Sequence, residues 1–120
     1  MIVSFTSIDE ELNKVSFESE AKCINNSIIF EDKSINDTII NLELYDDKVI
    51  IDRSGYVNLY LEFRMNESFR TKYKCDNGLE FEFDIFCNLL DIKQNRINIE
   101  YDMILDKTNK THHKLSLLFT

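Results

Sequence analysis

Apolar and polar residues alternate with a period of two along most of this chain, and no other feature constrains its fold as strongly. Between positions 79 and 85, every odd residue is apolar and every even residue is acidic. Similar alternation runs through 15–23, 57–63 and 97–105. Successive side chains of a β-strand point to opposite faces of a sheet, so the pattern predicts strands with one apolar face. No segment shows a helical stripe, and we therefore predict an all-β fold.

The alternating segments and their flanking turn residues predict ten strands joined by short connections. The predicted strands are 2–8, 14–24, 27–32, 38–45, 48–53, 56–64, 67–75, 79–90, 96–105 and 111–119. No linker or repeat divides the chain, so residues 1–120 are expected to form one domain. Many short strands in a meander predict a sandwich or a barrel. A closed antiparallel barrel is favoured because closure removes exposed strand edges, and the chain has no proline to protect an edge.

The register of one hairpin follows from the requirement that both apolar faces point to the same side. For strands 67–75 and 79–90, this requires the three-residue loop 76–78, in which Gly78 is free to adopt a positive φ. The inward pairs are then Tyr73–Phe81, Thr71–Phe83 and Phe69–Ile85. The outward pairs are Lys74–Glu80, Lys72–Glu82 and Arg70–Asp84, all of opposite charge. We therefore interpret this acidic stripe as a charge-paired outer face rather than a set of catalytic or Ca²⁺-binding carboxylates.

The same requirement predicts the register of two further hairpins. For strands 48–53 and 56–64, the predicted pairs are Ile51–Leu59 and Lys48–Glu62. For strands 96–105 and 111–119, the predicted pairs are Tyr101–Leu115, Met103–His113 and, on the outer face, Asp102–Lys114.

Composition restricts the partners and the compartment. The net charge of −8 leaves no basic surface for nucleic acid or an anionic membrane, so neither is a predicted partner. No run approaches the roughly 18 apolar residues of a membrane span, and the first twelve residues do not resemble a signal peptide. Cys23, Cys75 and Cys87 are an odd number without a CxxC pair, which predicts a reducing cytoplasm. Cys75 and Cys87 are predicted to be buried thiols that pack as small apolar side chains.

No motif of catalysis or of cofactor binding occurs in the chain. It lacks a phosphate-binding glycine-rich loop, an HExxH zinc motif and a serine nucleophile elbow, and it contains only two glycines. His112 and His113 are adjacent on one strand, so they point to opposite faces and cannot bind one metal ion together. We predict no enzyme activity, no cofactor and no metal.

Five polar residues have the parity of the apolar face. They are Arg53, Thr71, Tyr73, Tyr101 and His113. A buried arginine or tyrosine hydroxyl needs a partner, which is another side chain, the backbone, water or a ligand. Four of the five, Arg53, Tyr73, Tyr101 and His113, are the candidate ligand-binding residues. The alternative is structural, with Arg53 closing one end of the barrel and the tyrosines packed in its wall.

The second half of the chain resembles the YwiB-like family of uncharacterised bacterial proteins. The shared pieces occur in order over residues 48–119 and are 52–55 (DRSG), Phe63, 72–74 (KYK), Gly78 and 96–103 (RINIEYDM). Two positions depart from the family pattern: Glu62 stands where a basic residue is frequent, and Asn66 stands where glycine is frequent. The resemblance implies a calycin-like barrel and gives no reaction. Calycins often bind small apolar molecules, which is an analogy from fold.

Three functions follow as alternatives. A binder would hold a small apolar or amphipathic molecule in the barrel and would need an interior cavity, whereas aromatic side chains filling the core would count against it. A protein–protein interaction module would have a filled core and an exposed apolar patch, for which Tyr56, Tyr60, Ile104 and Leu118 are candidates. An enzyme has the least support. The sequence leaves the ligand, the partner and the oligomeric state open.

Overall fold

The ten predicted strands are all present in the structure, a computed structural model that describes residues 1–120. They are β1 (Ile2–Asp9), β2 (Lys14–Ile24), β3 (Ser27–Glu31), β4 (Thr38–Leu44), β5 (Val49–Gly55), β6 (Val57–Phe63), β7 (Ser68–Cys75), β8 (Glu80–Ile92), β9 (Arg96–Ile104) and β10 (Lys110–Phe119). No strand end differs from its predicted position by more than two residues. The chain forms no helix able to cross a membrane.

The strands form a closed antiparallel barrel, as predicted. Each strand pairs with its neighbours in the chain, and β1 also pairs with β10 to close the sheet. Because the strands run alternately up and down, the five connections that follow the odd-numbered strands lie at one end of the barrel. We call this the upper end. The other four connections and both chain termini lie at the lower end.

The β7–β8 hairpin has the predicted register. Tyr73 pairs with Phe81, and the other five predicted pairs are also formed. Gly78 adopts a φ of 93° in the three-residue loop, as its position requires. On the outer face, Arg70 contacts Glu82 and Asp84 at 3.0 and 3.3 Å, and Lys72 pairs diagonally with Glu80. The acidic stripe is therefore charge-paired.

The predicted β5–β6 register is wrong by two residues. Ile51 lies opposite Leu61 rather than Leu59, and Glu62 lies opposite Ile50 rather than Lys48. The turn is longer than expected, because β5 continues to Gly55 and the Asn58 side chain bonds the Gly55 carbonyl oxygen at 3.0 Å. Lys48 and Glu62 still form a 3.3 Å ion pair, but as diagonal neighbours.

The predicted β9–β10 register is also wrong by two residues. Tyr101 lies opposite His113, Asp102 opposite His112, and Met103 opposite Thr111. The β9–β10 turn lies earlier in the chain than predicted, because the Asp106 carboxylate accepts hydrogen bonds from the backbone amides of Thr108 and Asn109. A shift of two residues keeps every side chain on its predicted face but changes its partner.

Side chains fill the middle of the barrel. Seventeen buried residues form one core cluster, with contributions from eight of the ten strands. Phe63, Ile85, Val49 and Leu42 have no exposed surface, and Cys87 packs among them with its thiol pKa raised to about 11 by burial. The filled core is the feature that counts against a ligand held deep inside.

The wall is weakest between β6 and β7. These strands pair only at Val57–Cys75 and Asn58–Lys74. Below these pairs, the Thr71 hydroxyl donates a hydrogen bond to the Tyr60 carbonyl oxygen. The β6–β7 connection is hydrogen-bonded to β8, because the Asn66 amide donates to the Cys87 carbonyl oxygen at 2.8 Å. The barrel is therefore closed, but with a short ladder at this seam.

Candidate functional site

The four residues predicted to bind a ligand lie at the same end of the barrel. Arg53 and Tyr73 precede the ends of β5 and β7 by two residues, Tyr101 precedes the end of β9 by three, and His113 lies three residues into β10. All of these positions belong to the upper end. We call Arg53, Tyr73, Tyr101 and His113 the mouth cluster. Each is half-buried, so each side chain reaches both the core and the surface.

Arg53 is held by a buried carboxylate. Its Nε donates to Asp32 Oδ2 at 3.0 Å, and its guanidinium lies 5.7 Å from the centre of the Phe5 ring. The Asp32 side chain has no exposed surface and also accepts hydrogen bonds from the Ser34 amide and hydroxyl. The charge of Arg53 is therefore matched inside the wall, which fits the structural alternative for this residue.

Tyr101 and His113 stack against each other. Their rings are 5.2 Å apart between centroids and inclined by 18°, and Tyr101 also contacts the fully buried Phe63 at 5.1 Å. Burial raises the pKa of the Tyr101 hydroxyl, while the charge of Arg53 opposes that shift. Burial lowers the pKa of His113, against the pull of the Asp9 carboxylate. His113 is therefore neutral at pH 7, and the pair presents an uncharged aromatic surface.

Tyr73 forms the second aromatic stack of the upper end. Its ring lies 5.0 Å from that of Phe81 at 20°, and Phe81 in turn contacts Phe83. Burial raises the pKa of the Tyr73 hydroxyl, and Arg53 lies close enough to lower it. Thr71, the fifth inward polar residue, is satisfied by the Tyr60 carbonyl oxygen. Arg53 thus lies within electrostatic reach of both tyrosines of the mouth cluster.

Few polar atoms near the mouth cluster lack a partner or access to water. In the whole chain, Asn41 Oδ1 is the one buried side-chain polar atom without a hydrogen bond, and it lies on the outer face of β4. The Tyr101 hydroxyl makes no hydrogen bond to another group of the protein. It is therefore available to a molecule bound at the upper end.

A crevice of about 630 Å³ lies beside the mouth cluster at the upper end. Its walls are the β3–β4 connection, residues 32–37, and the end of β5. Asp32 lines the crevice and holds Arg53, so it joins the two features. Of the ten lining residues, Ile35 and Ile39 are the apolar ones, and the crevice is therefore mostly polar.

A second polar cluster lies on the outer face, around His112. Its Nδ1 is 2.8 Å from Asp102 Oδ1, and its Nε2 is 3.3 Å from Glu100 Oε1. The bond to Asp102 raises the pKa of His112. Burial alone would raise the pKa of Asp102, but hydrogen bonds from His112, Asn88 and Lys110 lower it. Both ring nitrogens of His112 face carboxylates and no nucleophile, so the cluster is a charge network of the wall.

The two histidines lie on opposite faces, as predicted. His113 points inward to Tyr101 and His112 points outward to Asp102. No group of three His, Cys, Asp or Glu side chains is arranged to hold a metal ion.

Sequence reasoning missed two partners. Asp32 follows Ile28 and Phe30 at the inward parity of β3, so alternation alone could have indicated it as the counter-charge of Arg53. The Asp102–His112 pair was missed because the predicted register placed Lys114 opposite Asp102. Only the turn chemistry of Asp106 could have corrected that register.

Comparisons with known proteins agree with the resemblance predicted from the second half of the chain. A family model described as a domain of unknown function, DUF1934, matches residues 2–117. No curated protein matches the chain. A solved structure, that of the ywiB protein from Bacillus subtilis, is similar over 99% of this chain and 90% of its own, with a TM-score of 0.67 and 16% sequence identity. At that identity, the likeness shows the fold alone.

Proposed function

Given that the chain belongs to the DUF1934 family, a family of domains of unknown function, we propose that it binds a small amphipathic molecule at the upper end of its barrel. One observation carries the proposal. Four side chains of the same inward parity, on four different strands, meet at one end and present half-buried aromatic rings above a filled core. Small-molecule sites are typically lined by apolar and aromatic side chains together with a few polar groups.

In this proposal the members of the mouth cluster have different roles. Tyr73, Tyr101 and His113 contact the apolar part of the ligand, and the Tyr101 hydroxyl bonds its polar part. Arg53 is a positioning residue, because its ion pair with Asp32 fixes the guanidinium group between the two aromatic stacks. The filled core restricts the ligand to the end of the barrel, in contrast to the deep cavity of a hollow calycin-like binder. A cytoplasmic location and a calycin-like fold are parts of this proposal, but the site is at the end of the barrel rather than inside it.

An interaction module is the second candidate, because a filled core is what that function requires. Its predicted patch is divided. Tyr56 and Tyr60 are 39% and 41% exposed at β6, whereas Leu118 is 38% exposed on β10, and β7, β8 and β9 lie between them. The four candidate residues therefore do not form one continuous surface, which gives this function less support than the binder.

The test is native mass spectrometry of the protein purified gently from its own host. We expect an adduct of small-molecule mass on the wild type and on Tyr60→Ala, an outer-face control of the same residue type. Tyr101→Ala should lose the adduct, and Tyr101→Phe, which keeps the packing, should retain it in part. A clean mass without adduct would contradict the proposal, and a co-purifying protein would favour the interaction module.

A further inference from the structure

The charges of this barrel are distributed unequally between its two ends. The upper connections contain six acidic residues and two lysines, at Glu10, Glu11, Asp32, Lys33, Asp37, Asp76, Asp106 and Lys107. The lower connections contain three acidic and three basic residues, at Asp46, Asp47, Lys48, Arg64, Glu67 and Lys93. The upper end therefore has a net negative rim, and the lower end is balanced.

Within the mouth cluster, positive charge offsets only one of these six acidic residues, Asp32, and leaves five against the two lysines. Arg53 is the one cation of the cluster, and the fully buried Asp32 matches it at 3.0 Å. Burial lowers the pKa of His113, so this residue adds no charge near neutral pH. Asp9, next to Glu10 of the rim, lies directly opposite His113 in the β1–β10 ladder, so carboxylates lie beside the aromatic surface. The crevice beside it is acidic as well, because Arg53 neutralises Asp32, while Glu31 and Asp37 still outnumber Lys33.

Aromatic faces next to carboxylates are the surroundings that organic cations prefer. The negative face of an aromatic ring attracts an ammonium group, and quaternary ammonium ligands are recognised in this way. Tyr73, Phe81 and Tyr101 supply partly buried rings, packed against the core, below the acidic rim. An anionic amphiphile would instead be repelled by the rim and would find Arg53 already paired.

We propose that the ligand of the upper end is an amphipathic organic cation, with its apolar part on the rings of the mouth cluster and its positive group at the acidic rim. This inference rests on the proposed function and adds the chemical class of the ligand. The observation that selects the class is the unequal charge of the two ends, combined with the pairing of Arg53 within the wall.

The experiment compares three probes of equal chain length: octyltrimethylammonium, octanoate and octanol. Binding is measured from ¹H–¹⁵N chemical-shift changes at about 20 mM and about 300 mM salt, because exposed charges are screened at the higher concentration. We expect the cation to bind at least about fivefold more tightly than octanoate at low salt, with a smaller ratio at high salt. The shifts should map to the strand ends around Tyr73 and Tyr101.

Matched variants separate the rim from the net charge of the molecule. The rim variant carries Glu11→Gln, Asp37→Asn and Asp76→Asn, three side chains that form no ion pair. The control carries Asp46→Asn, Asp47→Asn and Glu67→Gln at the lower end. Both sets change the net charge equally, and Asp47 loses only an exposed pair with Arg64. The rim variant should lose most of the preference for the cation, and the control should keep it.

The outcomes distinguish the two proposals. Octanoate binding as tightly as the cation would overturn the ligand class and leave the binding function standing. An equal loss of preference in the rim and control variants would also overturn it, because the effect would then come from the net charge. If none of the three probes binds at the upper end, the proposed function itself fails and this inference fails with it.

Discussion

Gly55 is the residue at which this fold leaves least room for change. Its φ is 127°, a conformation that side chains rarely adopt, and a Cβ atom there would lie 1.9 Å from the Asp37 carbonyl oxygen. The same carbonyl oxygen accepts the Tyr56 amide hydrogen bond at 2.9 Å, which ties the β3–β4 connection to the start of β6. The crevice of the upper end is therefore built on close backbone contact that only glycine permits.

Gly55→Ala is expected to destabilise the protein by about 3 kcal/mol or more, because strain and a backbone clash add together. Gly78→Ala is the matched control. Gly78 also has a positive φ, 93°, but a Cβ atom added there would meet nothing within 4 Å, so about 1 kcal/mol is expected from backbone strain alone. Urea unfolding measures both values. Equal losses in the two variants would show that the Asp37 contact is not formed.

Asn66 shows how a single departure from the family pattern can be explained. The sequence places asparagine where the family often has glycine, and the structure gives Asn66 a φ of 60°. Asparagine is among the few residues that tolerate this left-handed conformation. Glycine and asparagine are therefore both compatible with the positive φ that the β6–β7 connection requires at this position. At the second departure from the family pattern, Glu62 forms an ion pair with Lys48. This ion pair does not explain why a basic residue is frequent at position 62 in the family.

At the scale of strands and hairpins, alternation determined which face each side chain occupies, but not always its partner. The β7–β8 register was predictable because a three-residue loop ending in glycine has few solutions. The predicted registers of β5–β6 and β9–β10 were wrong by two residues, because the side chains of Asn58 and Asp106 form hydrogen bonds with the backbone of their own turns. Such bonds between a side chain and the backbone compete with the expected loop geometry. A shift of two preserves parity, so the apolar pattern could not reveal it.

The observed β9–β10 register has a measurable consequence in the pH dependence of stability. The pKa of His112 is raised first by its bond to Asp102, so protonation favours the folded state. That stabilisation is complete below the ordinary pKa of the unfolded chain and is lost as the pH rises through the raised pKa. The pKa of His113 is lowered by burial, so its contribution is present above the ordinary value and is lost as the pH falls through the lowered pKa.

The two histidines should therefore have opposite effects when replaced. Relative to the wild type, His112→Gln should lower the free energy of unfolding more at about pH 5 than at about pH 8, and His113→Gln should show the reverse trend. Denaturant unfolding at several pH values measures both. A His112→Gln variant with no pH-dependent difference would indicate that Asp102 pairs elsewhere, as in the predicted register with Lys114.

At the scale of the whole molecule, closure of the barrel was predictable and its interior was not. Closure was expected because an open meander without proline would leave its edge strands unprotected. In the structure, Ile2 and Thr120 complete the closure by exchanging two backbone hydrogen bonds. Whether the lumen is hollow depends on how closely opposite walls approach. Alternation carries no information about that distance, because the same inward residues can line a cavity or fill it.

The location of the candidate site was predictable only in part. In an up-and-down meander, residues near the ends of odd-numbered strands share one end of the barrel, so the gathering of Arg53, Tyr73 and Tyr101 was implicit in the predicted strands. The pairing of Arg53 with Asp32 and the shallow position of the site depend on packing between non-adjacent strands. Those features required the three-dimensional structure.

Replacing Phe63 and Tyr73 in turn tests whether the barrel is filled at its middle and accessible at its upper end. Phe63 has no exposed surface and contacts Tyr101 at 5.1 Å, whereas Tyr73 is half-buried. In a filled core, Phe63→Ala loses its packing and leaves a cavity, so a loss of about 3–5 kcal/mol is expected. Tyr73→Ala opens toward solvent and should cost about 2 kcal/mol or less. If urea unfolding gave equal and small losses, the middle of the barrel would be loosely packed, and a ligand held deep inside it would again be the better explanation.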